Sequence, residues 1–112
     1  MAGILNITID QGETYTNTTS VFLADGVTAM NLTGYTVASK MRQNYTSTTA
    51  HTITTTITNP ATAGKIDSSL TATETSAIKA GYYVYDLEIT SSGGVVTRVV
   101  EGKIQMKPEV TK

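Results

Sequence analysis

The chain has 112 residues, a formal net charge of −1 and only 15% charged residues, with no cysteine and one histidine. This length predicts one domain, a β-sandwich over residues 1–112. The near-neutral balance excludes the clustered Lys and Arg of a nucleic-acid surface. The lack of cysteine excludes a disulfide framework, and no apolar run approaches the length of a membrane span. We therefore expect no cofactor, no nucleic-acid partner and no membrane partner.

The first half of the chain contains three stretches in which apolar and polar residues alternate, the pattern of half-buried strands. In the last of them, Val37 and Met41 recur at even spacing and are expected to face the core. The predicted strands cover residues 4–10, 13–23 and 36–42, with turns at Gln11-Gly12 and Asp25-Gly26 and an irregular stretch or short edge strand over 27–32.

The second half begins with a strand, predicted over residues 49–58, that carries a row of threonines. Ile53 and Ile57 are expected to face inward, because side chains alternate between the two faces of a strand. Such an outer row serves either as a flat face toward solvent or as a face that pairs with a neighbouring protein. The row consists of Thr52, Thr54, Thr56 and Thr58.

A short strand predicted over residues 65–70 is followed by a helix start signal. Thr71 and Glu74 have the spacing of a capping box, in which the threonine caps the helix and the glutamate reaches back to it. One or two helical turns are therefore predicted over residues 75–78, and Gly81 ends them.

Residues 81–108 predict a long β-hairpin around which the rest of the chain is organised. Ser91-Ser92-Gly93-Gly94 supplies the turn, because glycine allows the positive φ that hairpin turns need. Val99 and Val100 are both apolar, so the alternation changes phase there and a β-bulge is predicted. The residues predicted to face the core are Tyr83, Tyr85, Leu87 and Ile89 on the first strand and Val100, Gly102, Ile104 and Met106 on the second.

These segments amount to about seven strands and one short helical turn, with turn signals at regular spacing. The predicted fold class is all-β, an antiparallel immunoglobulin-like β-sandwich. Antibody domains also carry a Cys–Trp–Cys pattern, which this chain lacks because it has neither residue.

Few residues have the spacing of a chemical site. Asp86 and Glu88 share one face of a strand, and paired carboxylates can do acid–base work or hold Ca²⁺. The alternative is a solvated outer face with Glu88 opposite Arg98 across the hairpin. His51 stands alone, without a Ser–His–Asp arrangement. We therefore expect no enzymatic activity, no catalytic residues and no metal ligands.

Tyr82, Tyr83 and Tyr85 form a dense aromatic group. Alternate aromatic residues can form a stacking platform, so a carbohydrate-binding module is an alternative function of a different class. That function requires at least two of the three rings to be exposed and coplanar. The other interpretation places one or two of them in the core, with one as the tyrosine-corner residue found in immunoglobulin-like folds.

The ends of the chain are predicted contact sites. Pro108 lacks a backbone N–H and forces the chain out of the ladder, so the tail leaves the sandwich. A free tail is ordered only if another surface receives it, because ordering each residue costs roughly 1–2 kcal/mol. At least one terminus is therefore expected to contact another subunit, through Ile4 and Leu5 or through Pro108, Glu109 and Val110.

Several short motifs, in this order and spacing, resemble the N-terminal domain of the baseplate upper proteins of tailed phages. The likeness covers most of the chain from Asn31 onward. The motifs are Leu32-Thr33-Gly34-Tyr35-Thr36, residues 64–66, residues 70–75 (LTATET), residues 80–88 (AGYYVYDLE), residues 100–103 (VEGK) and residues 108–111 (PEVT).

The resemblance implies a structural protein of a tailed-phage virion that binds other virion proteins in many copies. Baseplate upper proteins carry further segments, and none follows Lys112 in this sequence. The favoured expectation is therefore a capsid or head decoration (cement) protein that contacts the major capsid protein. A tail, neck or baseplate adaptor that contacts tail or baseplate proteins is the alternative.

Overall fold

The computed structural model describes residues 3–23 and 25–110. The fold is mostly β, with 52% of residues in strands and 8% in helix. One six-residue helix, α1, spans Ala72–Ala77, and Ala61–Ala63 form a 3-10 turn. No helix among the described residues is long and apolar enough to cross a membrane. The strands are β1 (Gly3–Ile4), β2 (Ile7–Asp10), β3 (Tyr15–Ser20), β4 (Thr36–Arg42), β5 (His51–Ile57), β6 (Lys65–Leu70), β7 (Gly81–Thr90) and β8 (Val96–Lys107).

These strands form one sheet in the order β1-β8-β7-β4-β5-β6-β3, with β2 also paired to β8. β5 changes neighbours along its length. Its residues His51 and Ile53 pair with β4, whereas Thr54 and Ile57 pair with β6. The sheet therefore curls into a half-barrel. We call β1, β2, β8, β7 and β4 the front layer and β6 and β3 the back layer; β5 joins them.

The prediction of a purely antiparallel arrangement is wrong at the start of the chain, because β1 and β2 run parallel to β8. A parallel pair needs a long connection, and here almost the whole chain separates the two partners. The single strand predicted over residues 4–10 is also interrupted at Leu5 and Asn6. Alternation in a sequence identifies a strand but does not identify its neighbour.

The core lies between the two layers. The inward faces predicted for the hairpin are confirmed: Leu87, Ile89 and Ile104 are buried, and Val100 is half-buried between the two apolar clusters. One cluster gathers around the start of β7, and the other gathers around its end. The fully buried large side chains include Leu32, Met41, Ile66, Leu70, Ile89, Ile104 and Met106.

The predicted bulge and capping box are both confirmed. Leu87 pairs with Val100 but Glu88 pairs with Arg98, so Val99 is the extra residue. The Thr71 hydroxyl accepts a hydrogen bond from the Glu74 N–H at 3.1 Å, and the Glu74 carboxylate accepts one from the Thr71 N–H at 2.9 Å. The predicted strand over residues 13–23 is shorter than expected, because after β3 the chain turns back on itself.

Candidate functional site

The threonine row predicted on β5 is largely present. Thr52, Thr54 and Thr56 are exposed on the outer face of the strand. Thr58 lies beyond the end of β5, is half-buried, and donates its hydroxyl hydrogen to the Asp67 carboxylate at 2.8 Å. Three of the four threonines are therefore available to a partner, and the fourth holds β6 in place.

The row belongs to a wider surface that the sequence pattern did not reveal. In register across the back layer, Ser69 lies between Thr16 and Thr54, and Asp67 lies between Thr18 and Thr56. The sequence shows polar residues at alternate positions of β3, which indicates an exposed face. Only the sheet order shows that these residues share that face with β5. We call this surface the hydroxyl face; it comprises Thr16, Thr18, Ser20, Thr54, Thr56 and Ser69 around Lys65 and Asp67.

Asp67 is the one carboxylate of the hydroxyl face. It accepts hydrogen bonds from the hydroxyls of Thr18 at 2.7 Å and Thr58 at 2.8 Å. These two donors, that of Thr18 first, lower the pKa of Asp67. Hydrogen bonds from two neighbouring hydroxyls therefore stabilise the charged form of Asp67 on this face.

The N-terminal contact residues are exposed in their side chains but fixed in their backbone. The Ile4 side chain is 77% exposed, and Leu5 is 43% exposed. The Leu5 N–H donates to the Glu101 carbonyl at 3.0 Å, and the Leu5 carbonyl accepts the Tyr85 hydroxyl at 2.6 Å. The Lys103 N–H donates to the Asn6 side chain at 3.1 Å where the strand is interrupted. This segment is therefore a rigid apolar edge.

The C-terminal contact residues also have a local anchor. Pro108 is exposed and Val110 is 97% exposed, whereas Glu109 is half-buried. The Glu109 N–H donates to the side-chain oxygen of Gln11 at 3.0 Å, and the Gln11 amide nitrogen donates to the Ile78 carbonyl at 2.7 Å. The rest of the predicted contact segments, residues 1–2 and 111–112, lies outside the described residues.

The two chain ends do not form one patch. Ile4 pairs with Glu101 near the middle of β8, and Pro108 follows the end of that strand. Pro108 is seven residue steps beyond Glu101 along β8, which corresponds to about 23 Å. Each end is therefore a separate candidate contact, and neither lies on the hydroxyl face of the back layer.

The tyrosines do not form a stacking platform. Tyr82 is 70% exposed, but Tyr83 and Tyr85 are buried. The Tyr83 hydroxyl donates to the Lys79 carbonyl, four residues upstream, at 2.6 Å. Burial raises the pKa of Tyr83, and it raises the pKa of Tyr85 to about 12 with a smaller contribution from Tyr15. The interpretation of these residues as core is therefore confirmed for two of the three rings.

The outer face of the front layer is a shallow, charged concavity of about 470 Å³. Arg98 contacts Asp86 at 3.3 Å and Glu101 at 3.8 Å. Glu88 lies opposite Arg98 in the register, as predicted, but the ion pair is formed with Asp86. Exposed pairs of this kind contribute about 0–1 kcal/mol. The arrangement matches a solvated charged face.

His51 lies in a polar recess of about 240 Å³ beside the end of α1. Its ring meets Tyr83 edge-on, with centroids 6.0 Å apart and an interplanar angle of 75°. Within residues 3–23 and 25–110, no group of three or more His, Cys, Asp or Glu side chains has a geometry that could hold a metal ion. His51 therefore packs against a core tyrosine.

Comparisons with known proteins give a distant likeness in structure and none in sequence. No protein-family model matches the chain. No curated protein matches it in sequence. Among solved structures, an internalin-like protein of Listeria monocytogenes is similar over 96% of this chain, with 16% identity and a TM-score of 0.45. The chain spans 28% of the length of that protein.

Proposed function

We propose that this chain is a non-enzymatic structural protein of a tailed-phage virion and that it works by adhesion to other virion proteins. The proposed site is the head, where the protein decorates the capsid; a tail, neck or baseplate adaptor is the alternative. The observation that carries the adhesive role is the hydroxyl face of the back layer, which is largely exposed and presents six hydroxyls around one lysine and one carboxylate. The motif resemblance from Leu32 to Thr111 supports the virion setting.

We further propose that the fold is a variant of the immunoglobulin-like sandwich. The orders β3-β6-β5 and β4-β7-β8 correspond to the B-E-D and C-F-G strands of constant-type immunoglobulin domains. Tyr83 stands near the start of β7 and bonds back to Lys79, which is the geometry of a tyrosine corner. The difference is β5, which joins both layers and curls them into one sheet.

A surface of this composition suits binding in an array. Threonine and serine hydroxyls can donate and accept, so they adapt to a partner's polar groups. Each contact is weak, but many copies on a symmetric lattice make the attachment strong collectively. The rigid apolar edge at Ile4 and Leu5 and the exposed Val110 offer smaller additional contacts.

The test of the virion role is to induce particles from the genome that carries this gene and to separate heads from tails. Quantitative mass spectrometry of each fraction then counts copies of this protein against the major capsid protein. Enrichment in heads supports the decoration role, and enrichment in tails supports the adaptor role. Absence from both fractions, while other virion proteins are detected, would refute the proposal.

The test of the surface uses particles that lack the protein and purified variants added back. Thr54→Glu places a charge in the middle of the hydroxyl face, and Thr36→Glu makes the same change on the exposed outer face of β4. Occupancy should fall for Thr54→Glu and stay unchanged for Thr36→Glu. A third protein, without residues 108–112, should remain folded and show lower occupancy, because the tail is a predicted contact. Equal occupancy of the Thr54→Glu variant and the parent would exclude the hydroxyl face.

A further inference from the structure

The free edge of the back layer is an unprotected strand. β3 is the last strand in the sheet order, and β6 is its neighbour on the other side. Its six residues, YTNTTS, contain no charge and no proline. Natural sheets usually blunt such edges with charged residues, proline, bulges or very short strands, because an open edge pairs with other chains.

The direction of the backbone groups shows which residues are open. The Val21 N–H donates to the Gly64 carbonyl, so the odd-numbered residues of this segment point their backbone groups toward β6. The Lys65 carbonyl, opposite Ser20, accepts instead from the Thr58 N–H on β5. The N–H and C=O groups of Thr16, Thr18 and Ser20 therefore point to the open side. No described segment is hydrogen-bonded on that side of β3.

The opposite edge of the sheet differs. β1 and β2 have two and four residues and are interrupted at Leu5 and Asn6, so they cannot offer a continuous ladder. β2 also ends in the exposed charge of Asp10. The edge formed by β1 and β2 is thus protected against pairing with another chain, and the β3 edge is not.

We propose that the β3 edge is the site where a second copy of this chain adds in antiparallel pairing. The open residues Thr16, Thr18 and Ser20 are symmetric about Thr18, so a two-fold axis there places Thr18 opposite Thr18 of the second copy. Thr16 then faces Ser20 of that copy, and these three residues can form about six backbone hydrogen bonds between the copies. A self-pairing strand meets its own side chains, so an uncharged strand is needed to avoid like charges in contact.

The charges nearest this axis do not oppose the pairing. Asp67 pairs with Thr18, so the two copies of Asp67 stand three strand spacings apart, or about 14 Å. That separation exceeds the Debye length of about 8 Å at physiological ionic strength. The added strand lies in the plane of the back layer. The front layer is about 10 Å from that plane, so it does not obstruct the second copy. Six residues of edge make a small interface, so the dimer forms only at high local concentration.

The experiment measures self-association of the purified protein by sedimentation equilibrium from about 10 μM to about 1 mM, a range that covers weak dimers. Thr18→Pro removes the N–H on the open side, together with the hydroxyl that donates to Asp67, and proline is tolerated on edge strands when that N–H faces solvent. Thr18→Lys places two like charges at the axis. Each variant should weaken dimerisation at least tenfold. The controls are Thr56→Lys, which makes the same change in the same row but away from the edge, and Thr18→Val, which keeps the N–H; both should dimerise like the parent.

Amide hydrogen exchange adds a residue-level readout. The amides of Thr16, Thr18 and Ser20 should gain protection as protein concentration rises, while those of Asn17 and Thr19 are protected throughout by β6. A parent that stays monomeric over the whole range would overturn the proposal. So would a dimer that persists in Thr18→Lys, or one that is lost equally in Thr56→Lys. The measurement uses the isolated protein, so its outcome is independent of the proposed virion role.

Discussion

A single methyl group added at Gly102 should displace the N-terminal segment, β1 and β2, from its pairing with β8. A Cβ built on Gly102 would stand 2.8 Å from the Leu5 carbonyl carbon and would overlap the Leu5 oxygen, closer than real Cβ contacts. The obstacle is backbone, which cannot rotate away as a side-chain tip can. Gly102→Ala should therefore push the interruption at Leu5 and Asn6 away from β8.

The displaced segment makes three hydrogen bonds, from the Leu5 N–H to Glu101, from the Tyr85 hydroxyl to Leu5 and from the Lys103 N–H to Asn6. At about 1 kcal/mol each, their loss removes about 3 kcal/mol. Replacing glycine with alanine lowers the conformational entropy of the unfolded chain, which stabilises the folded state by about 0.4–1 kcal/mol. The net expectation is a loss of about 2–3 kcal/mol of unfolding free energy, measured by urea denaturation.

The matched control is Gly3→Ala in β1, where the nearest atom to a new Cβ is a backbone oxygen at a comfortable 3.8 Å. Its unfolding free energy should stay within about 0.5 kcal/mol of the parent, the range of unremarkable surface changes. Hydrogen exchange of residues 7–10 should accelerate in Gly102→Ala alone. Equal stability of Gly102→Ala and the parent, with β2 still protected, would refute the account of a close crossing that only glycine permits.

The remaining predictions concern the core, the helix cap and pH. Ile104→Ala should lower the unfolding free energy in urea by about 2–5 kcal/mol, while Ile4→Ala should leave it almost unchanged because Ile4 is exposed. Similar values for the two variants would show that the inward face assigned to β8 is wrong. Thr71→Ala should lower the unfolding free energy by about 1 kcal/mol in the same assay, because the Glu74 N–H loses its acceptor. Thr71→Ser keeps a hydroxyl and should retain the stability of the parent. The pKa of Tyr85 is raised to about 12 in the folded protein, so the contribution of this residue to stability should be constant below about pH 10 and should fall by about 1.4 kcal/mol per pH unit between pH 10 and 12. In Tyr85→Phe that alkaline loss should shrink, and an unchanged slope in pH-dependent melting would contradict the assignment.

The sequence by itself determined the local structure. The alternation of Tyr83, Tyr85, Leu87 and Ile89 specified one buried face of β7, since side chains alternate and only one phase buries the apolar set. The capping box and the bulge at Val99 were also local, because each depends on residues within a few positions of one another.

Tertiary structure decided what the strands pair with, and therefore what their faces present. Alternation is the same for a parallel or an antiparallel neighbour, so nothing in residues 3–10 specified pairing with β8. That pairing is possible because Gly102 leaves room for Leu5, and the contact spans most of the chain. The hydroxyl face arises in the same way, because Thr18 and Thr56 are neighbours only through Asp67 of β6. The pairing of distant segments determines which residues share a surface. Periodicity within one segment carries no information about which other segment it pairs with.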